Sequence, residues 1–469
     1  MQQASRHARL SALAVAVVGA LAIGNAAASG FQLRETSTKA GGRAYSGTAV
    51  AKDDTATVSG NPAAMVNTDR PLVQVGVGII DLTAEFNGSG TTALGTPISG
   101  GLGGNPGTKK AVPSLGVIVP MSGSLEGLSL GASVTAPFGS STEWEQGWVG
   151  RYNATETSLA IVDLTLSAAV QITPAFSAGV GLIYESADVT LAKDLPLGVM
   201  LAGVNPALAA TPDGSVSVEG KHKGLGWVVG MQFRPSERFA IGYSHRSEIK
   251  HEFDGHADFT IPPSFAGMQA GFAANAANPA LPLTPAQRQQ LMVLGRGFAD
   301  TEGRARLVTP SVDTLSASLG VGERVTLYGE AQRTGWSSLQ NVTINFGNPY
   351  QPPSREQFRW KDTMFYSIGA DFALSDAFTL RAGVGMDESP TNNVDRTPRL
   401  PDNDRRLYSV GMSWKATPQL SVDASFTRVE IDDSTTNLPV NIAEGRYNSL
   451  NGTFNGHANV FGIGASYKF

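Results

Sequence analysis

Much of the chain alternates apolar residues with small or polar ones at a period of two. In the closing stretch NVFGIGASYKF, one face carries Phe461, Ile463, Ala465, Tyr467 and Phe469, and small or polar residues occupy the other. Successive side chains of a β-strand point to opposite faces, so this period predicts a strand with one apolar face. The pattern recurs at 179–185, 224–233, 366–372, 378–387 and 408–415. One such strand would also suit a soluble sandwich, but the repetition predicts a barrel with apolar residues outward and polar residues inward.

The connections between these strands alternate in length. Short turns occur at 173–174, 235–238, 321–324, 375–377 and 416–419, and long polar or Gly/Pro-rich segments occur at 87–109, 138–157, 190–215, 258–300, 347–357, 389–404 and 433–455. Short turns on one side and long loops on the other are typical of outer-membrane barrels. We therefore predict an all-β fold, a transmembrane antiparallel β-barrel of about 14 strands.

The first residues have the three parts of an export signal. Arg6, His7 and Arg9 are basic, 10–23 is apolar but too short to span a bilayer, and 26–28 is an Ala-Ala-Ala cleavage pattern. A buried N-terminal helix is the alternative. The order of the parts favours a signal peptide over 1–28, which predicts an exported protein.

Composition and charge exclude several classes of function. The chain has 469 residues, a net charge of −5 and no cysteine, which argues against a nucleic-acid partner and excludes thiol catalysis and Cys-ligated metals. No histidine pairs with a nearby Glu at a metal-binding spacing, and no G-x-S-x-G occurs. We predict no enzyme activity, no metal and no cofactor, and we expect His251 and His256 to be solvated.

Two of the long segments carry apolar residues that a water-exposed loop does not need. In 258–300, Thr284-Pro285 predicts the start of a helix. An exposed apolar patch usually marks a contact surface, although the two loops could instead pack on each other. The candidate binding residues in these loops are Leu197, Met200, Leu201, Leu291 and Leu294.

A break in the barrel wall is predicted at 131–141. Pro137 cannot donate to a strand ladder, and Gly131 and Gly139 weaken the strand around it. The alternative is a strand that ends normally at its loop.

Five motifs occur in order along the chain: GFQL (30–33), GRAYSG (42–47), Asn61-Pro62-Ala63, WVGRY (148–152) and the segment 387–405. Together they resemble the FadL/TodX family of outer-membrane transporters of hydrophobic compounds. The resemblance implies a monomeric barrel (71–469) with an N-terminal hatch (29–70) in its lumen, located in the outer membrane. It also implies capture of long-chain fatty acids or similar compounds at two extracellular loops, luminal binding and lateral release into the bilayer. Asn61, Pro62 and Ala63 form the expected hatch motif.

A fatty-acid carboxylate needs a cation in the lumen. Lys361 and Arg359 share strand parity with Ser367 and Asp371, so both are predicted to face inward, as is Phe365. The resemblance also implies a ligand-contacting lysine at Lys361, where some members of the family carry one. Alternatively, these cations pair with luminal acids such as Asp371, and Phe365 packs on the hatch.

Other functions and partners follow from the same reading. An aromatic-hydrocarbon or alkane channel is the main alternative, and a general porin, a surface adhesin and an outer-membrane lipase fit the residues less well. The expected partners are a hydrophobic small molecule, outer-membrane lipid and, through the strand that ends at Phe469, the barrel assembly machinery.

Overall fold

The computed structural model describes residues 30–469, so the predicted signal peptide lies outside the described residues. Within this range, eighteen β segments form one closed antiparallel sheet. They are β1 (Leu72–Thr92), β2 (Lys109–Pro120), β3 (Leu128–Glu143), β4 (Glu156–Thr173), β5 (Phe176–Leu195), β6 (Gly214–Ser236), β7 (Phe239–Arg246), β8 (Ile249–Thr260), β9 (Thr301–Thr309), β10 (Val312–Val321), β11 (Val325–Thr334), β12 (Asn341–Phe346), β13 (Ser354–Gln357), β14 (Thr363–Ala373), β15 (Phe378–Asp387), β16 (Arg405–Lys415), β17 (Leu420–Leu438) and β18 (Asn448–Lys468).

The eighteen segments make fourteen barrel strands, because four strands are each interrupted once. The interrupted strands are β7 with β8, β9 with β10, β11 with β12, and β13 with β14. The barrel closes where β1 pairs with β18, from Leu72 opposite Lys468 to Thr92 opposite Asn448. The predicted antiparallel barrel of about 14 strands is confirmed.

The two faces of the wall differ as the alternation predicts. Leu182, Leu225 and Ile368 point outward and are 69%, 78% and 66% exposed. The inner face carries buried polar side chains such as Ser177 and Ser367. Several strands run further than expected, since β1 continues to Thr92 and β18 begins at Asn448 inside segments predicted as loops.

Residues 30–70 lie in the lumen as short helical turns. These are α1 (Thr38–Gly41), α2 (Thr57–Gly60) and 3₁₀ turns at Thr48–Val50 and Pro62–Asn67. The segment is held from several sides: Arg43 pairs with Asp371 of β14 at 3.0 Å, and Ser167 of β4 donates a hydrogen bond to the carbonyl of Val58.

Three helices lie in the long loops: α3 (Leu197–Ala202), α4 (Pro263–Ala277) and α5 (Pro285–Arg296). Helix α5 begins as predicted, because the Thr284 hydroxyl accepts a hydrogen bond from the Gln287 N–H and the Gln287 side chain bonds back to Thr284. Further 3₁₀ turns occur at Gly123–Leu125, Pro206–Leu208, Trp336–Ser338 and Ile442–Glu444. Across residues 30–469, no helix has both the length and the apolar character needed to cross a bilayer.

Candidate functional site

The wall is incomplete between β2 and β3. The two strands pair only from Leu115 to Pro120, opposite Val134 to Ser129. Beyond that point β3 continues alone along β4, and its register shifts between Thr135 and Phe138, around Pro137. The break predicted from Pro137 therefore coincides with a real loss of strand pairing.

The start of the luminal segment covers the free edge of β3. The N–H of Leu33 donates to the carbonyl of Pro137, and the N–H of Gly139 donates to the carbonyl of Phe31, each at 2.7 Å. Gln32 forms a β-bridge with Phe138. The chain thus satisfies, with its own N-terminal segment, backbone groups that β2 leaves unpaired.

An apolar cavity lies beside this bridge, in the upper part of the barrel, which here means the part nearer the long loops than the short turns. Its wall is mainly aliphatic and aromatic, and Phe31 of the luminal segment forms part of it. Phe31 packs on Trp336 and Trp360, with ring centroids 4.6 and 5.7 Å away. The other apolar side chains that line the cavity include Leu159, Val189, Leu191, Phe253, Leu307, Leu339, Val342, Phe358 and Leu400.

Two neighbouring basic residues lie at or beside the cavity wall. Arg399 lines it, and its Nε donates to Glu356 at 2.7 Å. Lys193 is two residues beyond Leu191 on the same face of β5, half-buried, and near Arg399, Glu356 and Arg446. Among the described residues, no hydrogen bond or ion pair involves the Lys193 ammonium. An apolar cavity with an unpaired cation next to its lining residues Arg399 and Glu356 is suited to an amphipathic acid.

A buried polar cluster lies on the inner wall near Phe138. Arg246 pairs with Asp163 at 2.5 Å and with Glu185, whose carboxylate also contacts His251 at 2.7 Å and Thr309 at 2.8 Å. His251 is fully buried, so the expectation of a solvated His251 is wrong, whereas His256 is exposed as expected. Because two carboxylates occupy Arg246, this cluster fastens neighbouring strands together and presents no free cation.

The predicted orientation of Lys361 and Arg359 is wrong. Strand β14 begins only at Thr363, so the alternation does not extend to either residue. Lys361 is exposed, and Arg359 has a φ of 47° and points to Asp395, with two contacts of 2.7 Å. Trp360, between them, is the residue that is buried.

Phe365 and Asp371, further along β14, do face inward as predicted. Phe365 is 1% exposed and lies under the guanidinium of Arg34, 3.7 Å from the ring centroid. Asp371 pairs with Arg43 and with Arg381 at 3.3 Å. Both inward positions thus contact the luminal segment, and neither lines the apolar cavity.

The apolar loop residues come together in one cluster. Leu197, Leu201 and Leu294 are at most 1% exposed, and they pack with residues of α4 such as Phe265. The expected exposed patch is therefore wrong, and the alternative, in which the two loops pack on each other, describes the structure. Met200 and Leu291 belong to the same cluster and are 9% and 6% exposed.

The Asn61-Pro62-Ala63 motif is buried against the wall. Asn61 Nδ2 donates to the carbonyls of Ala49 (2.6 Å) and Met231 (3.2 Å), and its Oδ1 accepts from the Ala63 N–H (3.2 Å). Gly230 faces it so closely that a Cβ there would lie 1.8 Å from Asn61 Oδ1. The side chain therefore joins two parts of the luminal segment to β6.

Sequence reasoning missed Lys193 and the cluster around Glu185. Both residues lie on β5, and both share the inward parity of Gly179 and Gly181. The available signal was a charged residue at an inward position of a predicted strand. Applied to Lys361 this signal failed, because Lys361 precedes the strand that begins at Thr363.

The comparisons with known proteins agree with this architecture. Residues 19–469 match the model of a family described as outer membrane protein transport protein (OMPP1/FadL/TodX). The chain is 28% identical to the long-chain fatty acid transport protein of Salmonella typhi, over 98% of each chain. A Pseudomonas aeruginosa FadL homologue has the same fold, with a TM-score of 0.82, 25% identity and coverage of 94% of this chain and 99% of that one. The Pseudomonas putida toluene transporter TodX shares the fold at a TM-score of 0.63 and 14% identity, over 94% of this chain and 99% of that one.

Proposed function

Since the chain belongs to the OMPP1/FadL/TodX family of outer-membrane transport proteins, we propose that its substrates are long-chain fatty acids or closely similar amphipathic acids. The observation that carries this proposal is the apolar cavity lined in part by Arg399, with the unpaired Lys193 beside Arg399. A hydrocarbon chain fills such a cavity, and a carboxylate satisfies the unpartnered ammonium of Lys193.

The route we propose has three stages. Substrate is captured where the loop helices α3, α4 and α5 meet, with Leu197, Met200, Leu201, Leu291 and Leu294 as the apolar surface. Because these side chains are buried against each other, capture requires the two loops to part. Substrate then enters the cavity and leaves through the gap between β2 and β3.

Lateral release suits an apolar substrate better than an aqueous pore. Each methylene moved from lipid to water costs about 0.8 kcal/mol, so a long alkyl chain is released most cheaply into the bilayer. The gap beside Pro137 is closed by backbone bonds to Phe31 and Leu33. We propose that residues 29–70 act as the hatch, and that a shift of Phe31 and Leu33 uncovers the gap.

Transport of aromatic hydrocarbons is the second candidate. It is favoured by the aromatic side chains of the cavity, Phe31, Phe253, Phe358 and Trp360. A neutral hydrocarbon would leave Lys193 without a partner, so the two candidates differ in their dependence on this residue. We further propose that the chain acts as a monomer and that the strand ending at the exposed Phe469 is its signal to the assembly machinery.

Uptake of labelled oleate and of labelled toluene, by cells with and without the protein, tests the proposal. Replacing Lys193 by methionine is expected to reduce oleate uptake about tenfold, the loss of about 1.4 kcal/mol from one charge-assisted contact, and to leave toluene uptake unchanged. Lys221→Met is the matched control, because Lys221 is on the neighbouring strand and exposed, and pairs with Asp188. Lys361→Ala is expected to have no effect.

The outcomes separate the candidates. If the cells take up neither oleate nor toluene, the transport proposal is contradicted. Toluene uptake without oleate uptake favours the aromatic candidate. Equal oleate uptake by the Lys193 and Lys221 variants removes Lys193 from the site.

A further inference from the structure

The wall has a second interruption, meaning a place where neighbouring strands lack backbone pairing, between β9 and β12. These segments pair only at 303–305 with 344–346. Toward the short-turn end of the barrel, the next backbone contact is a hydrogen bond of 2.9 Å that the Gly335 N–H donates to the Ser311 carbonyl. Between these points, the described residues show no backbone hydrogen bond joining 306–310 to 336–343. The edge of β9 that faces away from β8 is therefore free over several residues.

A hollow lies on each side of this interruption. On the outside is an open groove whose lining includes Lys250, Arg306, Val308, Asn341 and Thr343. On the inside is the apolar cavity, lined there by Leu307 and Val342. Phe253, Ala305 and Leu339 line both hollows. At this place, a thin layer of side chains takes the role that paired backbone has elsewhere in the wall.

The interruption lies at the upper boundary of the apolar belt. Below it, the outward residues of β10 and β11 are apolar, as Leu315 and Leu327 show with exposures of 50% and 45%. Above it, the outward residues are polar, as in Arg304 and Asn345. A change from apolar to polar on the outer face of a barrel marks the lipid headgroup level. The groove therefore faces the headgroups of the outer leaflet.

We propose that this interruption is a second lateral opening, through which an amphipathic carboxylic acid exchanges between the outer-leaflet headgroup layer and the apolar cavity. The proposal rests on the proposed function, since it assumes that the cavity holds such an acid. The Leu339 side chain blocks this opening. It is 3% exposed and lies in the short link between the turn Trp336–Ser338 and β12.

The groove carries three basic and three acidic side chains, and two of the basic ones are paired. Lys250 pairs with Glu248 at 3.2 Å, and Arg304 pairs with Asp254 at 3.0 Å. Arg306 faces Glu252 across the β8–β9 register, yet forms no ion pair within the described residues. Its guanidinium is available to a carboxylate while the alkyl chain passes Val308 and Leu339, which avoids exposing methylenes to water.

This opening differs physically from the gap between β2 and β3. That gap is covered by two backbone hydrogen bonds from the luminal segment. Over 306–310, cover comes from side chains, so opening requires a change of side-chain rotamer and leaves the strand ladder intact. We therefore expect exchange here to be independent of any movement of residues 30–70.

A bulky group placed in the groove tests the proposal. The chain has no cysteine, so Thr343→Cys introduces one thiol that a large maleimide can alkylate on intact cells. Thr190→Cys is the matched control, an outward position on β5 that lines neither hollow. Alkylation of the Thr343 variant is expected to reduce oleate uptake severalfold, and alkylation of the Thr190 variant is expected to have no effect. Equal uptake by the two alkylated proteins overturns the proposal.

A second pair of variants tests the role of Leu339 by widening the opening, whereas the maleimide blocks it. Leu339→Ala is expected to accelerate release of a bound fluorescent fatty acid from purified protein severalfold. Ile183→Ala, a truncation of an equally buried side chain on β5 that lines neither hollow, is expected to leave the release rate unchanged. Equal release rates for the two variants overturn the role of Leu339. If the unmodified protein binds no fatty acid, the proposed function fails instead.

Discussion

Replacing Asn61 by alanine is expected to loosen the luminal segment from the barrel wall. The side chain is 0% exposed and makes three hydrogen bonds, to Ala49, Met231 and Ala63. Its loss removes one hydrogen bond from each of two carbonyls and from one N–H. An unsatisfied buried group costs about 1–3 kcal/mol, and water entering the new space offsets part of this, so we expect a loss of about 3 kcal/mol.

This energy converts into a measurable leak. Each 1.4 kcal/mol is a factor of ten in an equilibrium constant, so the displaced state of the segment becomes about a hundredfold more populated. Ion conductance through purified protein in a planar bilayer reports that population directly. Asn61→Asp is expected to leak at least as much, because it keeps an acceptor for Ala63 but places a carboxylate oxygen against the carbonyls of Ala49 and Met231.

The control for this experiment is Asn455→Ala. Asn455 is exposed on β18, and no hydrogen bond of its side chain occurs among the described contacts. Conductance of the Asn61→Ala protein equal to that of the control would refute the role assigned to the three hydrogen bonds.

Three further expectations concern the packing and charge of the same assembly. Gly230→Ala places a Cβ 1.8 Å from Asn61 Oδ1 and is expected to cost about 1–3 kcal/mol by overpacking, whereas Gly329→Ala, which meets open space, is expected to be neutral in a thermal-unfolding assay. Arg246→Met leaves the buried carboxylates of the inner-wall cluster unpaired and is expected to cost about 3–5 kcal/mol, seen as unfolding at a lower temperature on semi-native gels; an unchanged transition would contradict the pairing. The hydrogen bond from Lys468, at 2.8 Å, lowers the pKa of Asp69 below its ordinary value. The stabilisation is therefore present above the pKa of Asp69 in the unfolded chain and lost as the pH falls through its folded value, so the difference in melting temperature between the unmodified protein and Asp69→Asn should vanish in acid.

The loops and the start of β14 show why part of the site could not be predicted. Leu197 and Leu294 were correctly identified as apolar positions in loops, but whether they face water depends on contacts between segments nearly a hundred residues apart. Lys361 was assigned by parity, which holds only while a strand continues, and the strand begins at Thr363. Lys193 became a candidate only when the cavity beside Leu191 was known.

The sequence by itself determined the class of fold, which face of the clearly alternating strands is apolar, and the even number of barrel strands. These follow from local properties, since the side-chain period of a strand and the lengths of its connections are written along the chain. Tertiary structure alone decided which strands are interrupted, where the wall lacks backbone pairing and which inner cation has no partner. Those features depend on register and on what lies opposite each residue, as when Phe31 covers the edge of β3 or Asp371 meets Arg43, and no period along one segment encodes its partners across the lumen.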